Sequence, residues 1–332
     1  MAWLCQAGAG EARTFLVGPD QDIKTPSAAV QMAHDGDTIQ IEPLKGGYFD
    51  CAVIKQSHLT IEGTGDGVVL TDLTCAGKGI LVVDGTDVTV RNLTLTRARV
   101  PDRNGAGIRA EGTDLHVDNV RFVNDEVGIL AAASALSRIT IVNSQFIDNG
   151  GCDNGRCNSA LNIGWIALLH VEHSVFRDTH GGDDVLSYAV RTELVDDDIE
   201  DGPTGTAGYL VHLPAGGSLE MRNNRLEKGP KTADVPAAVS TEAPYGSRPV
   251  GTLVLIGNRF TNDSGRSFDL LHNLSDTPAE MANNTVGKNT TLVSSSGYMW
   301  FWMKSFAHAM LARAHSTAYT LARGLRDDLR RL

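Results

Sequence analysis

Val88–Leu95 reads VTVRNLTL, and its pattern returns at LHVDNVRF (Leu115–Phe122), ITIVNSQF (Ile139–Phe146), LHVEHSVF (Leu169–Phe176), TELVDDDI (Thr192–Ile199), LEMRNNRL (Leu219–Leu226), LVLIGNRF (Leu253–Phe260) and AEMANNTV (Ala279–Val286). Successive copies start 23 to 34 residues apart. A period in that range marks a solenoid or a propeller. Within each copy apolar and polar residues alternate, a turn residue interrupts them, and an apolar residue closes the copy: strand, corner, strand. The corner is held by Asn92, Asn119, Asn143, His173, Asp196, Asn223, Gly257 and Asn283. Asn tolerates the left-handed backbone and can hydrogen-bond its counterpart one coil away, so this column reads as a structural ladder and not as a set of catalytic groups.

A further strand precedes each copy: GKGILV, GAGIRA, EVGILA, ALNIGW, DDVLSY, YLVHLP, AAVSTE and FDLLHN. Its inward residue falls 14 to 15 positions before the closing apolar residue, as in Ile108 to Phe122, Leu161 to Phe176 and Val185 to Ile199. The expected fold is therefore all-β, a right-handed parallel β-helix with three-sided coils whose strands all pair except at the two ends. The 35 glycines and the low aromatic content, 6%, suit many short strands and tight corners. TPSAAVQMAHDGDTIQI predicts a short capping helix with Pro26 in its first turn, closed by Gly36 and followed by the strand Thr38–Ile41.

Three segments are expected: a leader over 1–13, the β-helix over 14–297, and a long amphipathic helix over 298–332. The leader ends in small residues like a signal-peptide cleavage site but lacks a basic start, and reads as a truncated signal or an ordinary leader. The last segment carries a stripe at Met299, Met303, Phe306, Met310, Ala314, Ala318, Leu321, Leu325 and Leu329. Lys304, His308 and Arg313 interrupt any spanning window, which leaves an interfacial membrane helix, packing on the last coil or a second copy, or an altered tail.

Net charge is −11, so the protein as a whole repels nucleic acid and anionic lipid. Phe301–Leu332 is the exception, with six Lys/Arg against two Asp. Of five cysteines, Cys152 and Cys157 bracket a short loop, and Cys51 and Cys75 stand about one coil apart; each pair can meet as a disulfide, with free buried thiols the alternative for Cys51 and Cys75. No Cys/His metal spacing occurs.

On a β-helix, function lies along an outer face built from successive coils. Positions outward from the second strand are Arg109, Asn162, His212, Ser240 and His272, with Asp184 on the other side of Val185. Coils lie about 4.8 Å apart, so Asn162, Asp184 and His212 are expected to share a site. HGGDDVLSYAVR (His180–Arg191) is the most suggestive stretch. Its adjacent carboxylates, Asp183 and Asp184, can split into acid and base or bind Ca²⁺. Asp183, Asp184 and His212 are thus the candidate catalytic groups, with Asn162, Arg109, Tyr188, His180 and Arg191 as candidate substrate contacts. The acidic run Asp196–Asp198 with Glu200 and Asp201 has the composition of a Ca²⁺ site but falls on a corner, where a solvated turn accounts for it. Trp165 and Tyr188 on adjacent coils read either as a sugar-stacking platform or as rings buried between coils.

The Asp pair followed by a His one coil on resembles the polygalacturonase motif, although that family's Asn-x-Asp, Gly-His-Gly and Arg-x-Lys are missing. A broader resemblance, up to about Gly297, is carried by TPSAAVQMAHDGDTIQIEP, LTIEG, DGPTGTAGYLVHLPAGG, LEKGPKT and FTNDSGR. These are similar to the uncharacterised bacterial right-handed parallel β-helix repeat-containing proteins of the pectin lyase-like superfamily. Those proteins show a Gly-His-Asn-x-Tyr-like strand and Gly-His-His-x-Lys-Ser-like residues on the next coil. Here the matching positions are Ser159, Ala160 and Asn162, then Asp183, Asp184 and Leu186. The resemblance implies that any activity of the relatives is lost or altered in this chain. The expected protein is a secreted or periplasmic β-helix that engages polysaccharide along an outer groove. Its rivals are a scaffold tethered by the C-terminal helix, and a polysaccharide lyase or glycoside hydrolase using Asp183 and Asp184.

Overall fold

The structure, a computed structural model, describes residues 11–244 and 247–294. The first ten residues and the amphipathic helix expected over 298–332 lie outside the described residues. Parallel strands stack into an all-β solenoid of about ten turns. They form three ladders. One is a ten-stranded sheet from Ala52–Ile54 to Thr290–Ser294, and each segment from GKGILV to FDLLHN supplies one of its strands. A second ladder runs from Thr14–Val17 to Ala279–Ala282, and a third from Val69–Thr71 to Thr285–Val286. The long strands Thr86–Thr96 and Thr113–Val123 turn a corner and belong to both, which merges these two ladders into one eighteen-stranded sheet.

The helix Pro26–Met32 covers one end of the interior. Thr25 caps it by accepting the Ala28 N–H, and Pro26 stands in its first turn, where a missing N–H costs nothing. The helix ends at Met32 with Ala33 as its cap, earlier than the glycine stop; Gly36, at φ 83°, turns the chain into the strand Thr38–Ile41. Ala29 and Val30 are buried and join the core cluster of Ile39 and Ile54.

Closing residues of successive repeats meet inside. Phe122, Phe146 and Phe176 are fully buried and stack, with ring centroids 4.7 Å and 4.5 Å apart. This stack explains two glycines: a Cβ on Gly107 would lie 2.7 Å from the Phe122 ring, and one on Gly128 2.6 Å from the Phe146 ring. Connections differ in length mainly at the corner entering the ten-stranded sheet, where loops range from 124–126 to 148–160. The longest contains a hairpin, Gly151–Asp153 with Arg156–Asn158, tied by the Cys152–Cys157 disulfide. Cys51 and Cys75 form the second disulfide.

The corner column adopts the left-handed backbone throughout, with φ between 51° at Asn143 and 73° at Gly257. Its side chains are largely outside, and the continuous hydrogen-bond ladder belongs to the next residue along. Ser144, Ser174, Asp197, Asn224, Asn258 and Asn284 each accept the backbone N–H from the coil before, from Val120 to Asn258. Each Asn also donates its amide to a backbone carbonyl of the coil before: Asn224 to Leu194, Asn258 to Met221, Asn284 to Leu255.

Asp197 occupies this buried column, and its Oδ2 has no partner among the described residues. A carboxylate cannot make the donation its Asn neighbours make; a carboxylic acid can. Burial pushes its pKa from 3.8 up to about 8, against the Ser174 N–H that favours the anion. Because the folded pKa is the higher one, the stability contributed by the proton is complete below about pH 4 and is lost as pH rises through about 8. Asp197→Asn has no proton to lose. Its thermal midpoint is expected to hold up better than the parent's between about pH 5 and about pH 9. Equal pH slopes in the two proteins would contradict the protonated assignment.

Candidate functional site

The ten-stranded sheet sets its outward residues in register, one per coil. Asn162, Leu186, His212, Ser240 and His272 form one row. His212 is the centre of a polar group on this row. Its Nδ1 lies 2.9 Å from Asp183 Oδ2, and its Nε2 lies 3.1 Å from Glu242 Oε1. Asp183 precedes the strand one coil earlier and also accepts the Tyr209 N–H at 2.8 Å, while the Tyr209 ring packs 4.7 Å from the imidazole. Burial by itself lowers the His212 pKa, but the hydrogen bonds with Asp183 and Glu242 outweigh it and hold the value up at about 9. At neutral pH His212 is an imidazolium that donates to a carboxylate on either side, with its side chain 18% exposed.

Beside this group is an aromatic step. Trp165, 42% exposed, stands 5.9 Å from Tyr188 in a tilted arrangement. The Arg248 guanidinium lies 4.6 Å over the indole and donates to the Tyr188 carbonyl. The register pairs Leu186 with His212, and Tyr188 stands two residues further along the chain, so one coil and two residues, roughly 8 Å, separate the step from the imidazole. Towards the N-terminal coils the entering corner also holds a groove of about 1010 Å³, lined by Arg99, Arg103 and Arg156 with Asp102 and Asp153.

Of the residues singled out in the sequence, Asp183 and His212 meet and Tyr188 stands nearby. Asn162 shares the row, with Leu186 between it and His212. Asp184 does not face outward. It occupies a column that holds Ala160, Leu210, Ala238 and Leu270 in neighbouring coils, all pointing inside, and it is fully buried. Arg109 is four coils from His212 and pairs with Glu111 at 3.2 Å. Arg191 lies on the second ladder, 2.6 Å from Glu220. His180 is held at the corner by Asp148 at 2.5 Å.

The acidic run is not a solvated turn. Asp197, Glu200 and Asp201 are buried: the alternation that turns Ile199 inward also carries Asp197 and Asp201 inward, and Glu200 on the other face is covered by Arg177 and Arg225. Glu172, His173 and Asp196 stand close enough to share an ion, on an exposed corner away from His212. Glu242, Tyr209 and Arg248 were not anticipated. For Glu242 the signal was present, since it follows Ser240 by two on the same strand and so shares its face.

No family model matches the chain, and no curated protein matches it in sequence. Among solved structures, an alginate lyase from Paenibacillus sp. str. FPU-7 superposes with a TM-score of 0.61 at 16% identity, covering 85% of this chain and 98% of that one. The chain shares that fold. Pectate lyase Pel9A covers 87% of this chain and 80% of its own at 13% identity and a TM-score of 0.47. The pectin methylesterase of Aspergillus niger covers 88% and 98% at 10% identity and a TM-score of 0.42. At these identities the likeness is one of fold, and the chemistry must be read from the residues present.

Proposed function

We propose that this chain is an exported, right-handed, three-sided β-solenoid that holds a polysaccharide against the outward face of its ten-stranded sheet, around His212. The observation that carries this reading is the Trp165–Tyr188–Arg248 step beside the Asp183–His212–Glu242 group. A sugar ring presents an apolar face that stacks on an aromatic and hydroxyls that hydrogen-bond to charged groups, and the two features lie within the reach of a short oligosaccharide. The fold shared with an alginate lyase agrees with this. Two disulfides suit an oxidising compartment.

Binding is favoured over turnover by the state of the groups. A general base needs a free lone pair, and both His212 nitrogens are committed to carboxylates. Asp183 and Asp184 cannot act as paired carboxylates, because Asp184 is inside, and the two carboxylates that do share the face, Asp183 and Glu242, are both held by His212. Titration calorimetry against a panel of acidic and neutral glycans is expected to find at least one ligand. Trp165→Ala should weaken it up to about tenfold, the equivalent of about 0.5–1.5 kcal/mol for an aromatic contact. No binding across the panel would end this reading, and release of unsaturated or shortened products would replace it with an enzymatic one.

A further inference from the structure

Behind the sheet, inside the solenoid, a lysine and two aspartates are shut off from water together. Lys228, Asp201 and Asp184 are each 0% exposed. Lys228 Nζ stands 3.1 Å from Asp201 Oδ2 and also donates to the carbonyls of Ala207 and Gly208. The Phe268 ring lies 5.8 Å from the nitrogen and closes its apolar side. Asp201 Oδ2 accepts the Gly229 N–H at 3.1 Å, whereas Oδ1 has no partner among the described residues. Neither oxygen of Asp184 has one either. The two residues of the ion pair come from adjacent coils, Asp201 just after the strand Asp198–Glu200 and Lys228 at the end of the paired strand Arg225–Lys228.

A buried amine stands against a buried carboxyl, and the buried Asp184 is anchored next to them, its N–H on the Tyr209 carbonyl adjoining the Gly208 carbonyl that Lys228 holds; with water excluded, this is an arrangement in which amide formation is feasible without an enzyme. The geometry points to an isopeptide bond between Lys228 Nζ and Asp201 Cγ, formed by the folded protein itself with Asp184 as the proton relay. The step is balanced. A proton passes from the ammonium to the Asp201 carboxylate along the 3.1 Å contact, leaving a neutral amine and a carboxylic acid. The nitrogen lone pair attacks Cγ while the Gly229 N–H supports the negative charge on Oδ2. Asp184 protonates the departing Oδ1 hydroxyl and takes a proton from nitrogen, and one water leaves. Lys228 and Asp201 lose one positive and one negative charge together, and Asp184 ends as it began. Burial first, and then the charge of Asp201, push the Asp184 carboxyl well above the usual range, so it carries the proton this relay requires. Holding the reactants in one place replaces the activation that an intermolecular coupling would need.

Mass spectrometry of the intact, disulfide-reduced full chain is expected to show the sequence mass less one water. A protease digest should contain a branched fragment joining the peptides of Asp201 and Lys228. A succinimide at Asp201–Gly202 would lose the same mass, but it yields no branched fragment and persists in Lys228→Met. The wild-type digest therefore decides without relying on a variant that folds. Asp184→Asn, which keeps both partners, is expected to accumulate the unlinked mass. The full sequence mass in the wild type, or mass loss without the branched fragment, overturns the bond; a fully linked Asp184→Asn overturns the relay.

Discussion

Relative to the unlinked, ion-paired chain, Lys228→Ala is expected to destabilise the solenoid by about 3–5 kcal/mol, the cost of leaving one member of a buried ion pair without its partner. The side chain fills space inside the coil and neutralises Asp201, and it satisfies the carbonyls of Ala207 and Gly208 as well. Alanine leaves a cavity, two unanswered carbonyls and a buried Asp201 carboxyl without its partner. Urea unfolding followed by far-ultraviolet circular dichroism measures the loss. Replacing Lys228 and Asp201 together with apolar residues of similar volume should recover much of it, since the cost lies in the orphaned charge more than in the missing attraction. A change within about 0.5 kcal/mol, the range of an ordinary surface substitution, would show that the interior is wetter than the geometry implies.

Phe146→Ala is expected to cost a similar amount, about 3–5 kcal/mol, for a different reason. Phe146 is the middle ring of the Phe122–Phe146–Phe176 stack and is fully buried. The backbones that carry these rings are pinned coil to coil by parallel pairing, Phe122 to Phe146 and Phe146 to Phe176, so the hole cannot close by collapse. Gly128 offers no side chain to fill it. In a stack where each coil rests only on its neighbours, a defect in the middle weakens two interfaces at once. Leu136→Ala, at a position 83% exposed, provides the control and should leave the unfolding midpoint unchanged. Equal small effects from both would mean that the stack contributes little.

Most of the solenoid was legible because its signal is periodic. Repeat spacing and alternation place Val90, Val117 and Ile141 inside and give the register of the ten-stranded sheet without any knowledge of contacts. The site was legible only in part. Register brought Asn162, Asp184 and His212 to one site, but it is Asp183 that meets His212, because strict alternation about Val185 fails at the corner, where two consecutive residues turn inward. The column itself carried the warning: Gly107, Gly128 and Ala160 precede Asp184 at that position. Lys228 follows the opposite rule. It stands two residues after the buried Leu226, so alternation alone puts its side chain inside, and its charge disguised a core position as a surface one. Glu242 could have been found from its place two residues after Ser240, whereas Arg248 reaches the site from the connection that follows, a distance in space that no local pattern encodes.

The uneven corner leading into the ten-stranded sheet has a consequence for how this molecule can change. Ladder hydrogen bonds fix each coil's strands against the next, yet the connections there run from 124–126 to 148–160 without disturbing the register on either side. Insertions and deletions are therefore tolerated at that edge far better than within the paired strands. Since the same edge supplies Asp183 and borders the row of His212, descendants of this chain can acquire a new ligand preference by trading loop segments while the stack beneath them is inherited intact.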